Sequence, residues 1–181
     1  ALQAHSMGAS IATLFLNRYP ERVERAILTC SGIFEYDERS FTTFHQVASW
    51  VVKFRPRWLP YVPWSERFFM ARFLHRTIPT AASRAFLEDY LMADSEATVQ
   101  TIYTSVSKQA AEVMPGEFTR LQVPTLLISG EKDIIIPAEM GRRAAILNQS
   151  FIKYLVLPKT AHFPMLEDEP TYLLGVREFW A

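Results

Sequence analysis

The chain is short of several things that would each point to a function. It has one cysteine, Cys30, among 181 residues. That excludes an internal disulfide framework and a paired-cysteine metal site. Neither sign of charge is in excess, with 19 Lys+Arg against 19 Asp+Glu, so the basic signature of a nucleic-acid binder is missing and no such partner is expected. No apolar run approaches the roughly 18 residues that a membrane-spanning helix needs. No basic-then-apolar leader precedes the first element. Together these absences predict a soluble, cytoplasmic globular protein. What is plentiful is apolar surface: 49% of residues are hydrophobic and 13% aromatic. That is enough for a packed core and too much for a disordered chain, over a length that suits one domain.

Three stretches differ in pattern. Residues 1–33 read as turn, helix and strand. An apolar helical run, Ile11 to Phe15, stops at Tyr19-Pro20, and Arg25-Ala-Ile-Leu-Thr-Cys30 follows as a short strand closed by Ser31-Gly32. Residues 34–117 carry helical patterning broken by Pro56, Pro60, Pro63 and Pro79, with helices expected over 83–93 and 95–114 and no strand. Residues 118–181 return to alternation: strand 123–129, helix 138–148, strand 152–157 and helix 170–180 with Pro170 in its first turn. Strands that alternate with helices predict a parallel, doubly wound α/β sheet with right-handed crossovers.

Three segments carry chemistry. Ala4-His-Ser6-Met-Gly8 opens a helix and has the small-x-Ser-x-Gly form of a nucleophile elbow, a sharp strand-to-helix turn that pushes a serine hydroxyl out of the backbone path. Ala4 and Gly8 are expected to let strand and helix pass closely, with Ala9 and Ala12 extending the small face. The Met7 backbone N–H, at a helix N-terminus, is placed to supply half of an oxyanion hole. Read alone, the same five residues are an ordinary helix start with Ser6 as N-cap. Asp133 follows the end of strand 123–129, and His162, 29 residues later, follows the end of strand 152–157. Sites in parallel sheets lie at those strand ends. Read alone, Asp133 is a turn residue and His162 an incidental loop histidine.

Together, the order Ser6, Asp133, His162 resembles that of the α/β-hydrolases. The resemblance rests on Ala4-His-Ser-Met-Gly8, Gly130-Glu-Lys-Asp133 with Pro137, Ala161-His162-Phe-Pro before Glu169-Pro170, and Tyr19-Pro-Glu-Arg-Val23. It implies a partial doubly wound α/β-hydrolase core over 1–33 and 118–181, with a helical cap or lid over 34–117. It implies a serine hydrolase that cleaves an ester or related acyl bond of an apolar small molecule. Ser6 would be the nucleophile, His162 the general base and then acid, and Asp133 the residue that orients it, with no metal or organic cofactor. His5 and Phe163 are candidate pocket residues. Glu35 and Asp37, after strand 25–30, are the competing choice for the acid; Glu131 reads as a solvent-facing turn residue, and His45 and His75 as surface or satisfied histidines. Serine at the elbow argues against relatives whose sites use aspartate there. The alternatives are a non-catalytic small-molecule receptor on the same fold and an inactive fragment.

The fragment reading comes from a departure. The fold places several strands before the elbow, whereas only Ala1-Leu-Gln3 precedes the motif. The expectation is therefore that this is the C-terminal part of a longer hydrolase, that strand 25–30 lies at an open sheet edge, and that the second oxyanion donor belongs to no residue present. The expected cap is also distinctive. Of 24 aromatic residues, 12 fall within 34–76, among them Phe41, Phe44, Trp50, Phe54, Trp58, Tyr61, Trp64, Phe68, Phe69 and Phe73. From Lys53 to Arg76 there are six basic residues and one acid, Glu66. The bland reading packs the aromatics inside and solvates the arginines; the functional one is an apolar acyl pocket with contact to a membrane surface.

Overall fold

A computed structural model describes the backbone of all 181 residues and every side chain except those of Ser40, Phe44 and Ser105; Phe44, counted above among the cap aromatics, thus lies outside the described residues. The chain forms two compact units. Unit 1 comprises Ala1–Phe34, Phe73–Thr77 and Val113–Ala181; unit 2 comprises Glu35–Arg72 and Ile78–Glu112.

Unit 1 is built on four parallel strands, β1 (Leu2–His5), β2 (Ala26–Thr29), β3 (Thr125–Gly130) and β4 (Ile152–Leu157), in the spatial order β1-β2-β3-β4. Helices α1 (Met7–Arg18), α7 (Ala138–Ile146), α8 (Pro164–Glu167) and α9 (Glu169–Trp180) belong wholly to it. The central strands β2 and β3 are buried at every position because both faces are covered. Leu28 and Leu127 join Ala9, Leu16, Phe118 and Ala144 in one core cluster, while Ile27, Leu126 and Ile128 join Leu157, Tyr172 and Phe179 in another. Successive residues of one strand thus enter opposite cores, which is why β2 and β3 carry the consecutive apolar residues Ala26-Ile-Leu28 and Leu126-Leu-Ile128.

Unit 2 is helical among its described residues. It holds α2 (Glu38–Lys53), α3 (Ser65–Met70), α4 (Thr80–Met92), α5 (Ser95–Ser105) and the start of α6 (Lys108–Arg120), which continues into unit 1. Among the described residues, no helix is long and apolar enough to cross a membrane.

Three expectations are corrected. Strand 25–30 is not an edge: Leu2–His5 pairs with it in register, Leu2 opposite Ala26 through His5 opposite Thr29, so the edge falls to β1. The helix expected over 95–114 is two helices. The Ser107 hydroxyl accepts from the Ala110 N–H, and a serine bonded to the backbone in this way starts a new helix; α6 then runs on through Pro115. Finally, Gly8 is not required for close passage, since a Cβ there would meet nothing within 4 Å. The tight approaches are elsewhere. A Cβ on Gly130 would come within 2.0 Å of the Ala161 carbonyl oxygen, and one on Gly32 within 2.4 Å of Met140 backbone.

Candidate active site

Each element of the site stands at the C-terminal end of a strand. Ser6 joins β1 directly to α1 at φ 54, ψ −125, a region that costs a non-glycine residue about 1–3 kcal/mol. The turn is nevertheless held on both sides: the Ser6 N–H donates to the Thr29 carbonyl at 2.8 Å, and the Ser6 carbonyl accepts from the Ala9 N–H at 2.9 Å. The hydroxyl does not cap the helix. It donates instead to His162 Nε2 at 3.0 Å. A strained residue whose side chain forgoes its local cap is what an exposed hydroxyl at a sharp turn requires. The Met7 N–H, in the first turn of α1, lies among the amides that a helix leaves without an intrahelical acceptor.

Asp133 occupies the turn after β3, and its carboxylate is buried, as is the His162 ring. Its Oδ1 accepts from the Ile135 N–H at 2.8 Å and the Ile136 N–H at 3.0 Å. Its Oδ2 accepts from His162 Nδ1–H at 2.8 Å. This fixes the tautomer: with Nδ1 protonated, Nε2 carries the lone pair that the Ser6 hydroxyl meets. Gly130 lets the His162 loop approach this turn, because only a residue without a Cβ leaves room for Ala161. The loop is pinned there by the Lys132 N–H donating to the Thr160 carbonyl at 2.8 Å.

The neighbours of His162 shape the site. His5 Nε2–H donates to the His162 carbonyl at 2.6 Å, and its ring centroid stands 4.8 Å from that of His162 and 4.9 Å from that of Phe163. Burial, only partly offset by that hydrogen bond, lowers the His5 pKa from 6.5 to about 4. His5 is therefore neutral at pH 7 and is a packing and hydrogen-bonding group here. Phe163 is buried. Cys30, at the end of β2, is buried with φ 51, and its thiol pKa is pushed upward by burial and then by the Asp133 charge. Ligand atoms of His5, Cys30 and His162 fall within 4.8 Å of one another. His5 and His162 are nevertheless committed to the hydrogen bonds above, and burial opposes the thiolate that a metal would need.

The competing residues lie elsewhere. Glu35 and Asp37 are exposed in unit 2. Glu131 is exposed, its carboxyl held below the ordinary range first by the Lys159 N–H and then by Lys132. His45 bonds the Val106 carbonyl within unit 2. His75 is exposed in unit 1. Within unit 1, a cavity of about 910 Å³ lies at the strand ends opposite to Ser6, Asp133 and His162, between Asn17, Glu117, Gln122 and Phe151. Sequence reasoning missed the glutamate at 167, whose carboxylate accepts from the Ala161 N–H at 2.7 Å, one residue from His162. The three-residue spacing after His162-Phe-Pro would have been its only signal.

A family model described as serine aminopeptidase, S33 matches residues 1–169. A search of curated proteins found no match. Among solved structures, an esterase from Exiguobacterium antarcticum is similar in fold, with TM-score 0.78 and 19% identity, over 100% of this chain and 66% of that one. A putative non-heme bromoperoxidase from Mycobacterium tuberculosis gives TM-score 0.74 and 19% identity, over 99% and 66%. A thermophilic esterase from Thermogutta terrifontis gives 0.72 and 19%, over 99% and 64%. The chain spans between 55% and 66% of the length of such structures, and at these identities the likeness is one of fold. A parallel sheet with helices on both faces, an elbow at the end of β1 and a family match over residues 1–169 agree: the chain belongs to the serine aminopeptidase S33 family of α/β-hydrolases.

Proposed function

We propose that this protein is a serine hydrolase that cleaves an ester or related acyl bond, with Ser6, His162 and Asp133 as its triad. The observation that carries the reading is the continuous hydrogen-bonded path from the Ser6 hydroxyl through His162 to Asp133, at 3.0 and 2.8 Å. In the reaction, Ser6 Oγ attacks the acyl carbon as its proton passes to His162 Nε2. Asp133 stabilises the imidazolium and keeps the ring in place. The Met7 N–H donates to the oxyanion. The tetrahedral species collapses, the leaving alcohol takes the proton from Nε2, and Ser6 is left acylated. Water then attacks the acyl-enzyme, giving its proton to Nε2, and the carboxylic acid departs as Ser6 regains its hydrogen. The strained Ser6 with its hydroxyl on His162 supports catalysis; slow turnover with tight ligand binding would identify a receptor on the same fold instead.

Unit 2 is assigned as the cap, with apolar acyl groups as its preference. Its aromatic residues support this: Trp50, Phe54, Trp58, Tyr61, Trp64 and Phe68 are all exposed. Trp50 and Phe54 stack with parallel rings, 5.7 Å between centroids. Lys53, Arg57, Arg67 and Arg72 are exposed in the same stretch. Aromatic rings interleaved with cations suit an anionic lipid surface.

The test is turnover of p-nitrophenyl esters of increasing chain length, with and without anionic vesicles. The expected result is hydrolysis that rises from acetate to longer acyl chains, rises further on vesicles and is lost in Ser6→Ala. Hydrolysis that persists in Ser6→Ala would overturn the triad reading; equal rates on all chain lengths would overturn the assigned preference.

A further inference from the structure

The backbone around His162 is held at points that the triad does not explain. The His162 N–H donates to the Phe73 carbonyl at 2.9 Å, and the His162 carbonyl accepts from His5. One residue earlier, the Ala161 N–H donates to Glu167 Oε1 at 2.7 Å. The other oxygen of that carboxylate, Oε2, accepts from the His75 N–H at 2.6 Å and the Arg76 N–H at 2.7 Å. Glu167 is 8% exposed. Beside it, Arg76 pairs with Asp168 at 2.9 Å.

One buried carboxylate therefore joins two backbone segments. The first is the loop that ends in His162. The second is Phe73–Thr77, five residues of unit 1 that have unit 2 on both sides in sequence. That short segment also carries Phe73, whose ring centroid stands 6.2 Å from that of His162 and 6.1 Å from that of Phe163. Burying a carboxylate is costly unless donors surround it, and here three amides do so. An amide of the same shape cannot replace it. Whichever way a glutamine turned, its NH₂ would face an N–H at one of the two oxygen positions.

We propose that Glu167 is a positioning residue for His162. It clamps the Phe73–Thr77 segment against the histidine loop, and so sets both the imidazole and the aromatic wall beside it. The proposal rests on the triad reading above. Small displacements of a general base cost roughly 10–100-fold in rate. Glu167→Gln is therefore expected to lower kcat on p-nitrophenyl acetate about 10–100-fold with KM little changed.

The experiment compares the parent, Glu167→Gln and Phe179→Leu, the last being a core variant remote from the loop. All three are assayed well below their melting temperatures, with amide hydrogen exchange and the downfield Nδ1 proton of His162 recorded on the same samples. The expected result is a folded Glu167→Gln with faster exchange at His75, Arg76 and Ala161, a shifted or lost His162 resonance and reduced kcat, against a normal kcat in Phe179→Leu. A folded Glu167→Gln with parental exchange and an unmoved resonance would overturn the proposal. So would an equal loss of kcat in Phe179→Leu, which would mark the effect as general destabilisation. If the parent itself hydrolyses nothing, the proposed activity fails for this chain, and the exchange and the resonance still decide whether Glu167 positions His162.

Discussion

The two units use the same kinds of residue in opposite ways. In unit 1 the large apolar side chains turn inward: Phe118, Leu16, Ile27, Leu28, Leu121, Leu127, Ile128 and Leu157 are fully buried. Among the described residues of unit 2, Met70 and Leu87 are the large ones that reach that state, while Trp58, Tyr61, Trp64 and Phe68 each keep more than half of their surface exposed. Polar groups differ in the same sense. The buried carboxylates of Asp133 and Glu167 are met by backbone amides in unit 1, whereas the acids of unit 2 described by ion pairs, such as Glu88 with Arg84, lie in solvent. Unit 1 is built to hold positions, and unit 2 presents surface. Composition alone does not distinguish the two, because a high aromatic content serves a core in one place and a water-facing side in the other.

Substitutions in each unit test this contrast. The largest effect belongs to the buried acid. Asp133→Asn, which leaves shape intact but removes the charge that fixes the His162 tautomer, should lower ester turnover on the order of 10⁴-fold, measured as kcat; Glu131→Gln, on the exposed side of the same turn, should leave it unchanged. Next comes a stability contrast between the units. Phe118→Ala should cost about 3–5 kcal/mol in urea unfolding, and Trp64→Ala within about 0.5 kcal/mol. Equal costs would remove the distinction between a packed unit and a presenting one.

A further effect is a pH dependence. The His5 pKa is about 4 in the folded chain and 6.5 in its absence. Between those values the unfolded chain holds a proton that the folded chain does not, so stability should fall as pH drops through that window and level off below it. In thermal melts, His5→Gln should lose this component of the acid destabilisation. An identical pH profile in the variant would show that His5 is not protected from protonation.

Much of the sheet was legible because each cue was local. Val123 to Ser129 is dominated by Leu126, Leu127 and Ile128 and closed by glycine, and both faces of that strand prove to be covered. The grouping of Ser6, Asp133 and His162 was legible for a topological reason: parallel strands all end on one side, so residues just past three such ends must converge. What escaped depends on pairings between distant segments. Leu2–His5 is too short to stand out as a strand, yet it pairs with β2 along its whole length. Gly8 looked like a steric necessity and has open space around it, while Gly130, which reads as a plain strand terminator, admits the His162 loop. Glu167 carries no motif that singles it out in the sequence. Its role depends on the amides of His75 and Arg76, some 90 residues away in the chain, and no local pattern records that approach. The break at Val106-Ser107 was hidden by helical periodicity on both sides.

If Ser6, His162 and Asp133 act together as a nucleophilic unit, Ser6 should be open to covalent labelling. The 181-residue chain, shown to be folded, would be treated with a fluorophosphonate and read by intact mass beside Ser6→Ala and His162→Ala. The expected result is one adduct on the parent, none on Ser6→Ala and strongly slowed labelling of His162→Ala. A folded parent that takes no adduct, or an adduct that survives in Ser6→Ala, would contradict it.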